Sequence, residues 1–225
     1  MAHIHLYDGH ISLVWVIIYF TIAALIILSI IIWMKLKSVE ITTEQKAMAG
    51  ILAAVVFIIT QIPVPAPWGG THLNFTPLLG ILAGPFISVI VIIIVTIFSA
   101  LIGHGAWTIM GANIVLYSTE AILGWYIYKI LRKRARNGEE KMNRFTAATI
   151  ATGISLIAGT ALLTVMIGLA GIQGVHEPGI ELMIDLWLLN AVNLIVGAVE
   201  TVITGFIIEY IGKARPDYIN SEVTA

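Results

Sequence analysis

Residues 74–103, with the sequence NFTPLLGILAGPFISVIVIIIVTIFSALIG, decide the fold of this chain because they can form one membrane segment or two. As a single helix the stretch would be about 45 Å long, with Gly84-Pro85 in its middle. Proline inside a helix removes a backbone hydrogen bond and clashes with the preceding turn. The sequence therefore predicts a short helix over about 74–84, a turn at Gly84-Pro85 and a second helix to about 103. A re-entrant segment is the alternative.

The rest of the chain is equally apolar. Of its 225 residues, 59% are hydrophobic and 11% are charged, whereas soluble domains carry roughly 25% charged residues. Further runs approach or exceed the roughly 20 apolar residues with which a helix crosses a bilayer. They cover about 11–34, 44–62, 107–131, 144–171 and 182–212. The sequence predicts an all-α fold, a polytopic membrane helix bundle with seven transmembrane segments, as one domain over residues 1–225.

Charge and cysteine content narrow the range of functions. A net charge of −1 argues against a nucleic-acid partner. The absence of cysteine excludes disulfides, thiolate metal sites and cysteine nucleophiles. Residues 1–10 contain no Lys or Arg, so they lack the basic start of a secretory signal, and the first apolar run is expected to be a retained helix.

Basic residues collect in three segments, at 35–46, 132–144 and 213–225. Short cytoplasmic loops hold such an excess, so the first two are predicted to be cytoplasmic loops and the third a cytoplasmic tail. The chain must then cross the membrane an even number of times between the first two, as two segments within 74–103 allow. This topology predicts a multi-pass protein of the cell membrane with its N-terminus outside and its C-terminus in the cytoplasm.

The same topology puts all six histidines at the external face: His3, His5, His10, His72, His104 and His176. Residues 1–10 are predicted to form an external metal-binding segment, because a chain terminus offers an amine and amide nitrogens beside an imidazole. The loop before His72 is stiffened by three prolines and then freed by Gly69-Gly70. An amine, a deprotonated amide nitrogen and two imidazoles form a planar set that suits Ni(II) or Cu(II), and less strictly Co(II).

Other polar residues are given supporting roles. His5 and His10 are expected around the metal ligands or on the surface, and His104 is expected where metal enters. Asp8 is expected to orient an imidazole or fix the loop, with a cap on the first helix as the alternative. Asn113 is expected to support the N-terminal segment from inside the bundle. Interhelical hydrogen bonds are expected of the polar residues in or near apolar segments, which are Glu120, Asp185, Asn190, Asn193 and Glu200.

Several separated motifs occur together in order: Asp8-Gly9, Gly-Gly-Thr-His at 69–72, Gly84-Pro85, and HGAWTIMGANI at 104–114. With the near-terminal His3 they resemble the CbiM/NikM family, the substrate-binding (S) membrane components of energy-coupling-factor (ECF) transporters for cobalt and nickel. The resemblance covers nearly the whole chain and implies seven helices with the N-terminal segment inserted into the bundle. It implies three sources of metal ligands: the terminal amine of Met1 (of Ala2 if Met1 is removed), His3 with its amide nitrogen, and His72. Family members typically begin Met-His, whereas Ala2 intervenes here.

The resemblance implies a transport subunit, not an enzyme, that captures one divalent ion at the external face. No cofactor is expected beyond the transported Ni(II) or Co(II). Nickel is favoured because planar nitrogen ligation suits it, with cobalt, for cobalamin biosynthesis, close behind. The sequence lacks the Gly-x4-Gly-Lys-Ser/Thr pattern of nucleotide sites. The expected partners are therefore a membrane scaffold (T component) and ATPase subunits, together with a small accessory membrane subunit.

Three other functions are less favoured alternatives. An intramembrane metalloenzyme such as a zinc protease would need His-Glu-x-x-His on a helix, and the sequence has no such spacing. A histidine-lined metal channel would bind ions weakly at several sites rather than tightly at one. A b-type cytochrome would bury its axial histidines in mid-span, whereas these histidines fall at predicted helix ends.

Overall fold

The computed structural model describes residues 6–38, 41–63, 72–133 and 142–215. Within these ranges the chain forms helices and no β-strand. In order, the helices are α1 (Leu13–Leu36), α2 (Thr43–Thr60), α3 (Thr76–Leu101), α4 (Met110–Arg132), α5 (Arg144–Ala170) and α6 (Ile180–Ala214). A short 3-10 turn, Trp107–Ile109, leads into α4. The all-α prediction is confirmed, with helix ends within about three residues of those expected.

Helix α3 is broken where the sequence predicts a turn. Gly84 has φ 72° and ψ 172°, a conformation outside the helical region that glycine adopts without a steric penalty. Ser88 Oγ donates to the Leu79 carbonyl at 3.1 Å, although nine residues of continuous helix would separate the two by about 13 Å. The chain therefore folds back sharply at Gly84. The short limb (76–83) and the long limb (85–101) are the two segments predicted for this stretch.

Helix α4 lies at the centre of the bundle, in contact with α1, α3 and α5. Close approach to α3 depends on glycine: a Cβ built on Gly80 would lie 2.0 Å from the Ala121 carbonyl oxygen, and one on Gly124 would lie 2.9 Å from Pro77 Cα. Small residues of this kind let membrane helices pack backbone to backbone. This contact fixes the short limb of α3 inside the bundle.

Helices α1 and α2 lie at the outside. The exposed side chains of α1 are mostly large and apolar, and α2 exposes Ile51, Val55 and Ile58, which suits a lipid environment. In the described parts of the chain, five helical stretches are long and apolar enough to cross a membrane: Leu13–Leu36, Thr43–Thr60, Thr76–Leu101, Arg144–Ala170 and Asn193–Ala214. Helix α4 is not among them. It is enclosed by its neighbours and buries Asn113, Ser118 and Glu120.

The bundle has two chemically distinct ends. What we call the histidine end comprises residues 6–12, His72, the turn 102–109 and the loop 171–179. The hydrogen bond from Gln173 N to the His10 carbonyl (2.9 Å) joins the loop 171–179 to residues 6–12 there. The opposite, basic end carries Lys35, Lys37, Arg132, Arg144 and Lys213. Arg132 donates there to the Met142 carbonyl at 2.6 Å, and Arg144 to the Gly212 carbonyl at 3.0 Å. All four histidines within the described ranges lie at the histidine end, as the sequence predicts.

Candidate functional site

Two imidazoles meet at the histidine end. His72, from the extended residues before α3, and His104, from the turn after α3, have ring centroids 4.9 Å apart and ring planes at 89°. His72 is only 4% exposed, and its Nδ1 lies 3.2 Å from the Ile62 carbonyl oxygen. A carbonyl can only accept, so Nδ1 carries the proton and Nε2 keeps its lone pair. This is the arrangement in which a second ring nitrogen binds a metal.

The surroundings keep both rings uncharged. Burial lowers the pKa of His72, and the neighbouring His104 lowers this pKa further. Burial also lowers the pKa of His104. At neutral pH both imidazoles are therefore neutral, which is the protonation state that donates to a metal.

A narrow polar pocket lies beside His104, formed by α2, α3 and α4. It is lined by the hydroxyl residues Thr60, Thr96 and Ser99 together with Asn113 and Tyr117. Gln61 Nε2 donates to Ser99 Oγ at 3.3 Å and ties α2 to α3 there. Asn113 is thus buried beside His104. Its predicted support of the N-terminal segment falls partly on residues 1–5, which lie outside the described residues.

Residues 6–12 are attached to the turn before α4. Asp8 Oδ1 accepts from Thr108 N at 2.9 Å and from Thr108 Oγ1 at 2.7 Å, and these bonds lower the pKa of Asp8. The prediction that Asp8 fixes the loop agrees with this contact. The alternative of a cap on the first helix is wrong, because Asp8 bonds to the turn before α4. The ring of His10 packs edge-on against Tyr7 with centroids 5.7 Å apart.

Four of the predicted positions lie outside the described residues: Met1, Ala2, His3 and His5. Within the ranges that the structure describes, no group of three or more His, Asp or Glu side chains converges to hold a metal. The structure thus brings together His72 and His104 and places the chain segment that follows residues 1–5 beside the same turn. His176 lies apart, exposed in the loop 171–179.

Two buried carboxylates hold the start of α3, and their partners could not be found from the sequence. Glu200 Oε2 and Oε1 accept from the backbone N of Asn74 and of Phe75, each at 3.1 Å. Thr76 Oγ1 donates to Glu120. Both glutamates are 0% exposed. The expectation of interhelical hydrogen bonds is confirmed for Glu120, which accepts from Thr76 of α3. Glu200 instead holds the extended chain just before α3, two residues beyond His72.

The remaining polar residues of α6 behave differently. Asn190 Nδ2 donates to the Leu186 carbonyl at 2.8 Å, and Asn193 Nδ2 donates to Asn190 Oδ1 at 3.3 Å, so these bonds stay within the helix. Asp185 is exposed.

Replacing Glu200 by alanine is expected to lower the free energy of unfolding by about 3 kcal/mol, because it leaves two buried N–H groups without their acceptor. Glu200→Gln keeps one acceptor oxygen and should cost less. Thermal unfolding of the detergent-solubilised protein would measure both. Glu209→Ala, a partly exposed position on the same helix paired with Lys213 at 3.0 Å, is the control and should change stability little. Equal losses from Glu200→Ala and Glu209→Ala would contradict the assignment.

The described part of the chain is a bundle of apolar helices with a pair of imidazoles at one end, which defines it as a multi-pass helical membrane protein. The family model described as the cobalt uptake substrate-specific transmembrane region, CbiM, matches residues 5–218. The chain therefore belongs to the CbiM family, as the motifs in its sequence indicate.

Several relatives of this chain are named as metal transport proteins. The chain is 27% identical to the cobalt transport protein CbiM of Geobacter sulfurreducens over 97% of this chain and 62% of that protein. It is 28% identical to a putative fused nickel transport protein NikMN of Archaeoglobus fulgidus, over 97% of this chain and 68% of that one. A putative metal transport protein of Methanocaldococcus jannaschii is 29% identical, with 97% and 96% covered. The chain thus spans about three fifths to two thirds of the length of the first two.

Solved structures share the fold. The crystal structure of a truncated transition metal transporter superposes with a TM-score of 0.75 at 21% identity, covering 94% of this chain and 99% of that one. A second transition metal transporter structure gives the same TM-score at 22% identity. The helical bundle of this chain is therefore a fold that solved structures also have.

Proposed function

We propose that this chain is the substrate-specific membrane component of an ATP-driven nickel or cobalt importer of the ECF type. One observation carries the proposal: two neutral imidazoles, buried His72 and half-buried His104, meet at the end of the bundle to which Asp8 attaches residues 6–12. Family membership supports it, and relatives named for cobalt and nickel transport support the choice of ion. Neutral imidazole nitrogen is a suitable ligand for both metals.

The metal site is proposed to combine His72 with donors from the beginning of the chain. These are the terminal amine of Met1, or of Ala2 if Met1 is removed, and His3 with its amide nitrogen. The Asp8–Thr108 hydrogen bonds hold the chain, five residues after His3, beside the turn that carries His104. This limits the volume in which the N-terminal donors can move. His104 is proposed to help metal enter, because it lies against His72. His5 and His10 support the site without binding the ion.

Nickel is the proposed preferred ion, with cobalt next. Four nitrogen donors that include a deprotonated amide favour a square-planar ion, and Ni(II) accepts this geometry more readily than Co(II) does. The same series places Cu(II) above both in affinity, so the selectivity of transport also depends on which ion is available.

The histidine end is proposed to face outside the cell and the basic end the cytoplasm, since short cytoplasmic loops of membrane proteins are rich in Lys and Arg. Hydrolysis of ATP would take place on separate ATPase subunits, joined to this chain through a membrane scaffold subunit. A small accessory membrane subunit is a further proposed partner. In this scheme the chain is not an enzyme.

Uptake of nickel by cells tests the proposal. Cells that lack their own nickel importer should accumulate Ni(II) when they express this chain together with its scaffold and ATPase subunits. Accumulation should stop when the ATPase is made inactive by substitution of its phosphate-binding lysine. Uptake that continues unchanged with the inactive ATPase would contradict the ATP-driven scheme and favour a channel.

A further inference from the structure

A groove at the basic end has no part in the metal site. It lies between the last turns of α4 and the short limb of α3 and has a volume of about 560 Å³. Three aromatic side chains, Trp125, Tyr126 and Tyr128, form its apolar wall together with an isoleucine from each helix. The groove therefore presents a surface that packs against hydrocarbon.

The charges of the groove have one sign. Its ionisable lining apart from tyrosine consists of Lys129, Arg132 and Lys133, and every charged residue described around it is cationic. Lys129 Nζ lies 4.9 Å from the centroid of the Trp125 ring. Arg132 is fixed by its hydrogen bond to the Met142 carbonyl. The cations cluster at the C-terminal end of α4, so the groove combines an apolar wall with a positively charged end.

We propose that this groove binds one anionic phospholipid, with the acyl chain along the aromatic wall and the phosphate at Lys129 and Lys133. A free phosphate ion would use only the cations, and a neutral lipid would use only the wall, whereas an anionic lipid matches both parts. Basic pockets between membrane helices bind anionic headgroups in this way. Trp and Tyr are favoured where membrane helices meet the headgroup region, and these aromatic residues lie near the C-terminal end of α4.

Fluorescence quenching measures the binding directly, because Trp125 lines the groove. Phosphatidylglycerol with brominated acyl chains is added to the protein in phosphatidylcholine nanodiscs and compared with brominated phosphatidylcholine. The difference between the unaltered chain and Trp125→Phe isolates the signal of this tryptophan. Two double variants are compared. One is Lys129→Gln/Lys133→Gln in the groove, and the other is Lys35→Gln/Lys37→Gln at exposed positions in and directly after the last turn of α1, at the same end. Both variants remove two positive charges.

Phosphatidylglycerol is expected to quench Trp125 more strongly than phosphatidylcholine does. The preference should fall by about tenfold in Lys129→Gln/Lys133→Gln and stay unchanged in Lys35→Gln/Lys37→Gln. Equal quenching by the two lipids would overturn the proposal. So would an equal loss in both double variants, which would indicate only a diffuse surface charge. If inorganic phosphate abolished the preference at a concentration equal to that of the lipid, the acyl chain would contribute nothing to binding, the groove would be a site for free anions, and the lipid proposal would also fail.

Discussion

Replacing His72 by alanine is expected to weaken Ni(II) and Co(II) binding by more than about 100-fold, since even the loss of a partner behind a metal ligand costs 10- to 100-fold. His72 supplies a neutral, buried ring nitrogen whose orientation is set by the Ile62 carbonyl. Among the described residues, no other imidazole makes this contact with the Ile62 carbonyl, so none replaces His72 as a ligand when its ring is removed. Equilibrium titration of the purified protein with each metal would measure the change.

Two histidines at the same end serve as matched controls. His176→Ala removes an exposed imidazole. The contact of His176 with Ile172 is made by the backbone, so the substitution should leave metal affinity unchanged. His104→Ala should reduce affinity less than His72→Ala does, because His104 is proposed to help entry rather than to bind. Full affinity in His72→Ala would show that the proposed site is wrong. If His104→Ala lost more metal affinity than His72→Ala, His104 would be the ligand and His72 the residue that helps metal enter.

Replacing Gly80 by alanine is expected to cause a large loss of stability. The new Cβ would lie 2.0 Å from the Ala121 carbonyl oxygen and 2.7 Å from its carbon, and these are backbone atoms that cannot rotate away. Helices α3 and α4 must separate to admit it, at a cost of about 3 kcal/mol or more. Thermal unfolding in detergent, together with the yield of folded protein, would measure the effect.

The control for this substitution is Gly50→Ala in α2. A Cβ at Gly50 meets no atom within 4 Å, so alanine should leave the protein as stable or make it more stable by up to about 1 kcal/mol, because alanine favours helix more than glycine does. If Gly80→Ala were as stable as Gly50→Ala, the close approach of α3 and α4 would not exist as described.

The fold follows from local signals in the sequence to an unusual degree. Apolar length fixed the helices to within a few residues, and Gly84-Pro85 marked the turn because proline cannot donate the next helical hydrogen bond. The distribution of Lys and Arg predicts that the histidines lie together at one end of the bundle. Each of these properties depends on neighbouring residues in the chain and on the bilayer, so no knowledge of long-range packing was needed.

The site was only partly predictable. His72 and His104 are 32 residues apart, and only the fold-back of α3 shows that their rings touch. Glu200 could be recognised as a costly intramembrane acid, but its partners, the backbone N–H groups of Asn74 and Phe75, belong to another segment and have no distinguishing side-chain signal. For Asp8 the sequence leaves three roles open, which are orienting an imidazole, fixing the loop or capping the first helix, and only the three-dimensional structure identifies Thr108 as its partner.

X-ray absorption of the Ni(II)-loaded protein tests the central claim most directly, because it reports the number, type and arrangement of the donor atoms. The account predicts four nitrogen donors in a planar arrangement, with the scattering pattern of imidazole rings, and the loss of one imidazole in His72→Ala. A six-coordinate, oxygen-rich shell that His72→Ala leaves unaltered would contradict it.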